Sequence, residues 1–478
     1  MSALAIKEAL FLFGRSSRQL LALNTVNLEY SDTFLTKGGE VGPLKSIMEL
    51  MTILSPFERI IPVELRPLDH YLADKVSNQR TGGILGLVVK EGEIIFCNNY
   101  GYKSRKNDNP MEFDDIFRIF SMTKPIACLT VLSLVFDGYF GLDDPIENYF
   151  PEFESKQVLD HFDKEQGIYR FRRASEKITI RQLFTQMTGH SYGLYPSVPI
   201  DLYHGKQLGF DYSSPTSFFA SFQQWLLGYE PEYYLRAFAD MPLAFEPGTH
   251  WMYGFNHAIL TLLAEKVTNK PFNVLLRERI LNPLGMEDTE YYVPTEKIHR
   301  LAAPFTTSGE GKLVELEEGS LVESATKQPS FCPGGMGLYS TLADYYSFCS
   351  MFLNQGRWEN KQVVDPTIIV EMTRNHLPDN KAMVDLYQNK VTNKELLEWL
   401  KGLGYGLGVQ VKVGKNRTKT PVGTVSWGGA ANTSFWIDPK NEITGIFLTQ
   451  CLPQDFNWIY PLNDSVIKNL VYEGLEKT

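Results

Sequence analysis

Ser121 is followed three residues later by Lys124 in the run RIFSMTKPIACLTVLSLVFDG. On a helix that spacing stacks two side chains on one face of a single turn, so the Lys124 amine can approach the Ser121 hydroxyl. A hydroxyl beside an amine is a nucleophile beside a base, and the chemistry it offers is acyl transfer through a serine ester. The amine must be neutral to act, which requires burial or a nearby positive charge to lower its pKa. Ser121 follows a short β-like run at 117–120 and heads a helix-period pattern over 121–136. Pro125 suits a first turn, where its missing N–H has no intrahelical partner, so this helix is expected to start without strain. Its positive end would then lie where negative charge develops on an attacked carbonyl. Alone the pattern is weak, because many surface helices begin with Ser and carry Lys at this spacing.

Two further runs offer what such a pair lacks. In WMYGFNHAILTLLAEKV, Tyr253 precedes Gly254 and a helix pattern over 257–267. A phenol there can shuttle the serine proton to a leaving alkoxide, and Asn256 can hydrogen-bond substrate. The plainer reading is a half-buried Tyr and a helix-capping Asn. In TVSWGGAANTSFWIDP, Trp427, Gly428 and Gly429 end one β-rich segment, and the glycines permit close backbone approach. The N–H of Ala430 can pair with that of Ser121 as an oxyanion hole, a service needing backbone only. An ordinary glycine-rich hairpin turn is the competing reading.

SMTK, YGFN and WGG, in this order, resemble the three motifs of class C β-lactamases and family VIII carboxylesterases, relatives of the penicillin-binding proteins. ITIRQLFTQMTGHSYGL resembles the segment such proteins carry between their first and second motifs. GGMGLYSTLADYYSFCSMFLNQG resembles the glycine-rich turn and helix before the third. The resemblance runs from about residue 82 to 450. It implies Ser121 as nucleophile, Lys124 and Tyr253 as the base pair, and Trp427 where the family has a Lys or His. The β-lactamases of this group usually carry K-T-G there, its cation helping to hold the antibiotic carboxylate; WGGAANTSFWIDP is similar to the esterase branch. Asn256 lies three residues after Tyr253, one further than in the β-lactamase Y-x-N. The implied activity is that of a serine carboxylesterase hydrolysing, or transferring the acyl group of, small to medium carboxylic esters. The alternatives are a β-lactamase or D-peptidase, or a non-catalytic scaffold.

These residues need a frame. The run GGILGLVVKEGEIIFCNNYGY, from residue 82, reads as two strands split by a turn at 90–92. LGYGLGVQVKV, TPVGTVSWGG, NTSFWIDPKN and EITGIFLTQ add four β-rich segments near the other end. Helical patterns lie between, at 121–136, 180–187, 257–267, 274–280 and 342–354. The fold class expected is α+β, β-lactamase/transpeptidase-like, with an antiparallel sheet built from both chain ends and flanked by helices. The domains expected are an N-terminal extension at 1–56, an α/β subdomain at 57–115 and 335–478, and a mostly helical subdomain at 116–334. The aromatic-rich segment 192–241 is expected mainly in the core, with part of it lining the pocket. Gly189–Gly193, GHSYG, matches the nucleophile elbow of α/β-hydrolases. That elbow needs strand, turn and helix, whereas a helix pattern precedes Ser191 and Pro196 follows it, so Ser191 is read as a decoy.

Composition narrows the rest. Across 478 residues the formal net charge is −10, which gives no electrostatic footprint for nucleic acid. Five cysteines, Cys97, Cys128, Cys332, Cys349 and Cys451, never form a C-x-x-C pair, and the eight histidines show no ligand spacing. No metal, cofactor or integral membrane segment is expected; the partner is a small ester, with a homo-oligomer left open. Residues 1–24 carry Lys7, Arg15 and Arg18 against Glu8. A plain amphipathic helix and a cytoplasmic location are the first reading, and a mitochondrial presequence is the second.

Overall fold

The computed structural model describes residues 61–308, 312–316, 325–387, 394–453, 455 and 460–477. The extension at 1–56 and the helix or presequence at 1–24 lie outside the described residues.

Helix α1 (Arg66–Ser77) leads into β1 (Gly83–Lys90), β2 (Glu93–Ser104) and the short β3 (Asn109–Pro110). The central stretch carries α2 (Thr123–Phe136), α3 (Ile180–Phe184), α4 (Pro215–Leu227), α5 (Pro231–Asp240), α6 (Asn256–Thr268) and α7 (Leu342–Leu353). Strands return as β4 (Leu403–Tyr405), β5 (Gln410–Lys412), β6 (Val425–Gly429), β7 (Thr433–Asp438) and β8 (Ile443–Leu448), and α8 (Asp464–Leu475) follows.

The eight strands form one antiparallel sheet in the order β4-β5-β6-β7-β8-β1-β2-β3. The two chain ends meet at its centre, where β1 pairs with β8 from Leu85 opposite Leu448 to Lys90 opposite Ile443. The hairpin between β1 and β2 turns through positive φ at Glu91 and Gly92, matching strand twist. One sheet face is covered by α1 and α8. Leu68 and Leu72 of α1 and Ile467 and Val471 of α8 bury themselves against Ile84, Phe96, Trp436 and Phe447. On α7, Tyr345 sets its ring 5.2 Å from that of Phe435 in β7.

Three expected elements differ in detail. The segment at 403–413 is two strands, because the chain reverses at Gly408. The helix at 180–187 stops at Phe184, since Gln186 takes a left-handed φ of 62°. The helix at 274–280 is longer and interrupted: Phe272–Leu276 passes through a π turn at Arg277–Leu281 into Asn282–Leu284. Pro283 has no N–H to continue regular bonding, and a widened turn before it is the usual accommodation. All five cysteines are free.

Candidate active site

Ser121 is delivered by a sharp change of direction. Phe117–Arg118 pairs with Tyr339–Ser340, and the chain then winds through a single 3-10 turn, Phe120–Met122, into α2. Phe120 has a φ of 43°. A bulky side chain held in that region costs on the order of 1–3 kcal/mol. The strain-free helix start expected from the sequence is therefore corrected: strain sits one residue before the hydroxyl, where a strand must turn abruptly into a helix head. Tyr345 Oη donates to the Met122 carbonyl at 3.0 Å, and the Leu338 N–H donates to Thr123 Oγ1 at 3.1 Å, pinning the turn. Helix α2 is buried from Thr123 to Leu134, as its nearly continuous apolar sequence requires.

Lys124 and Tyr253 converge on one oxygen. Lys124 Nζ lies 3.1 Å from Ser121 Oγ, and Tyr253 Oη donates to the same atom at 2.7 Å. The Lys124 nitrogen also donates to the Gly335 carbonyl at 2.6 Å. It stands 4.5 Å from the ring centre of Tyr253 and 5.0 Å from that of Tyr192. Those ring faces favour an ammonium, but complete burial outweighs them and holds the Lys124 pKa well below the usual lysine range. Burial pushes the Tyr253 phenol the other way, above its usual range. The resting site thus tends towards neutral amine and neutral phenol.

A buried polar network carries the Tyr253 loop, and sequence reasoning missed its centre. Gln186 Oε1 accepts from the Gly254 N–H at 2.9 Å and from Asn256 Nδ2 at 2.5 Å. Thr188 Oγ1 donates to the remaining oxygen of Asn256. Asn256 is fully buried. Its expected contact with substrate is corrected, because both ends of its amide are occupied inside the protein. Gly254 is needed for close approach, since a Cβ there would lie 2.0 Å from the His190 carbonyl oxygen. Gln186 carried no signal of its own, because a lone amide carries no chemistry; it lies within ITIRQLFTQMTGHSYGL, the run that resembles the segment between the first and second motifs.

The WGG run forms the opposite wall. Trp427 sets its ring 5.5 Å from Tyr253 and 5.4 Å from Tyr405. Its indole N–H falls short of hydrogen-bonding geometry with any partner among the described residues, although it lies near enough to the Tyr253 phenol to favour the ionised form. Gly428 and Gly429 are half-buried. A Cβ on Gly429 would come within 2.4 Å of the Ile119 carbonyl, so a glycine lets β6 press against the turn carrying Ser121. Ala430 follows directly, and its carbonyl accepts from Tyr460 Oη at 3.0 Å. Tyr460 had no sequence signal, being thirty residues beyond the motif it steadies.

Ser191 is buried and turned to partners other than Lys124 and Tyr253. Its Oγ bonds His204 Nδ1 at 2.7 Å, and His204 Nε2 meets the Pro242 carbonyl at 2.6 Å. Asp201 receives the Gly193 N–H at 3.0 Å. All three side chains are buried, and burial pulls His204 down to about 3, so this Ser-His-Asp group ties a loop together. The aromatic segment is mostly core: Phe210, Phe218, Phe222, Trp225 and Phe238 interlock around Phe255. Phe219 sets its ring 5.9 Å from that of Phe120, the residue before Ser121. A small cavity of about 10 Å³ lies between Tyr192, Phe255, Phe331 and Gly335. Among the described residues, the carboxylates close enough to share a cation are those of Glu112, Asp114 and Asp115. Lys103 reaches Asp115 at 2.8 Å and Arg300 reaches Asp114 at 3.2 Å, meeting that charge from within the protein.

Comparison with known proteins gives this geometry a setting. The family model described as Beta-lactamase matches residues 68–460. Esterase EstB of Burkholderia gladioli is 25% identical over 398 residues, covering 80% of this chain and 89% of its own. Lovastatin esterase of Penicillium rubens is 26% identical over 395 residues, covering 78% and 91%. Among solved structures, that of EstCE1, a hydrolase with promiscuous acyltransferase activity, superimposes with a TM-score of 0.67 at 22% identity, covering 86% of this chain and 98% of that one. At that identity the likeness speaks for the fold.

Proposed function

The chain belongs to the β-lactamase family, and from that premise we propose that it is a serine esterase or acyltransferase working through a Ser121 acyl-enzyme. The carrying observation is the convergence of Lys124 Nζ and Tyr253 Oη on Ser121 Oγ, at 3.1 and 2.7 Å. The neutral Lys124 amine takes the hydroxyl proton as Ser121 attacks an ester carbonyl. The tetrahedral oxyanion is received by the N–H groups of Ser121 and Ala430, at the positive end of the turn leading into α2. Tyr253, kept protonated by burial, gives its proton to the departing alkoxide, and the Lys124 ammonium supplies the replacement. Water or a second alcohol then attacks the acyl-enzyme, giving hydrolysis or transfer.

The similarity to two esterases supports this class of substrate. Trp427, with no cation to offer a β-lactam carboxylate, argues against efficient antibiotic hydrolysis. Turnover of p-nitrophenyl esters of graded chain length, measured beside nitrocefin, tests the reading. Ester hydrolysis at least a hundredfold faster than nitrocefin hydrolysis is expected, and the reverse ranking contradicts it. Among the described residues no helix is long and apolar enough to cross a membrane. Cytoplasmic residence and self-association belong to the same proposal, and cell fractionation and the mass of the assembly test them.

A further inference from the structure

Lys124 and Tyr253 reach Ser121 from different elements, and one further side chain touches both. Tyr192, 2% exposed, has its ring centre 5.0 Å from Lys124 Nζ and 5.0 Å from the Tyr253 ring, which it meets at 63°. It also meets Phe255 at 4.6 Å and 64°. Both are edge-to-face arrangements, the favoured geometry of aromatic pairs. Phe255 is in turn packed against Phe222, Trp225 and Phe238 at 6.0, 5.2 and 5.1 Å. The aromatic core thus reaches the catalytic amine through Tyr192. Its hydroxyl is buried without a hydrogen-bond partner among the described residues, a cost to stability that the ring does not share.

Gly335 makes this arrangement possible. A Cβ there would lie 2.2 Å from Tyr192 Oη, while the next ring atom, Cζ, would stand at 3.4 Å. The same residue's carbonyl takes a Lys124 N–H at 2.6 Å. A neutral amine has two N–H bonds and one lone pair. With one N–H on Gly335 and the second turned to an aromatic face, the lone pair is left for the Ser121 hydroxyl at 3.1 Å. Other titratable groups acting on this amine are Cys128, one turn along α2, and His257 on α6. Burial pushes the thiol up and pulls the imidazole down to about 3, so both are uncharged around neutral pH. The faces of Tyr192 and Tyr253 are what favours the ammonium once it forms.

Building on the Ser121 acyl-enzyme reading, we propose that Tyr192 is a positioning residue for its base: the ring directs the Lys124 lone pair at Ser121 and keeps Tyr253 within reach of the same oxygen. The role belongs to the ring and not to the hydroxyl, and it acts on proton transfer rather than on substrate binding. Misplacing a reacting group by about 1 Å can cost on the order of a hundredfold in rate, so a ring that only sets direction is worth having.

The test is kcat and KM for a p-nitrophenyl ester from about pH 5 to 9, in the full chain and its variants. Tyr192→Leu keeps the site apolar but offers no aromatic face. It is expected to lower kcat by roughly tenfold or more with KM within about twofold. Its acid limb moves down by about one pH unit, because the ammonium has lost a stabilising ring. Tyr192→Phe keeps the ring and with it the wild-type limb. Gly335→Ala reproduces the Leu loss by driving Oη, and the ring with it, off the amine. Joining Gly335→Ala to Tyr192→Phe deletes the clashing atom and restores both rate and limb. A Leu variant with wild-type kcat and limb overturns the proposal, as does a Phe variant as impaired as Leu. A double variant no better than Gly335→Ala overturns it too. Turnover that survives Ser121→Ala removes the acyl-enzyme reading and this inference together, whereas turnover that needs Ser121 yet ignores Tyr192 removes this inference alone.

Discussion

At Ser121 Oγ the amine and the phenol converge, and their protonation is set by the same burial acting on groups of opposite charge type. The consequence is a pH dependence with a definite sign. Lys124 must be neutral to accept a proton, so kcat/KM falls as pH drops through its lowered pKa and is sustained above it. Lys124→Met removes that acid limb and costs roughly 10²–10⁴-fold in rate, which stopped-flow measurement across pH resolves. A wild-type profile rising only near the usual lysine pKa contradicts this assignment. Ser121, Lys124 and Tyr253 were legible in the sequence because reactive residue types at fixed spacing leave a mark. Gln186 and Tyr460 left none, since an amide or phenol that positions a loop is recognisable only by what it touches.

Among the elements, α5 illustrates a debt met from outside. Its last carbonyls, with that of Met241, receive the Lys156 amine: Phe238 at 2.9 Å, Ala239 at 2.6 Å and Met241 at 2.5 Å. Burial nonetheless draws Lys156 down to about 7. Between that value and the 10.5 of an exposed lysine, the unfolded chain binds more protons, so stability rises with pH across this window. Lys156→Met flattens that slope and, by orphaning three carbonyls, lowers stability by roughly 2–4 kcal/mol in denaturant titrations. An unchanged midpoint and slope sink this account. Periodicity located α2, α6 and α7 to within a residue or two. It misjudged where a left-handed Gln186 ends a helix and how Pro283 widens one, because both depend on the chain's path beyond the element.

Over the whole molecule, the sheet is closed by its termini: β8, nearly the last element, lies between β7 and β1. Ending the chain at Lys440 removes β8 and α8, bares two central strand edges and uncovers the face packed by Val471 and Tyr472. Circular dichroism and gel filtration should then show no cooperatively folded monomer. The alternation and turn residues at both ends made this architecture legible, whereas the strain at Phe120 arises only when the sheet and the helical layer are joined. The central claim is that one oxygen among several serines is activated. Peptide mapping after fluorophosphonate treatment tests it most directly: one phosphonyl group per chain on Ser121 is expected, vanishing in Ser121→Ala and slowed sharply in Lys124→Met. A label on Ser191, or an unmodified chain, contradicts it.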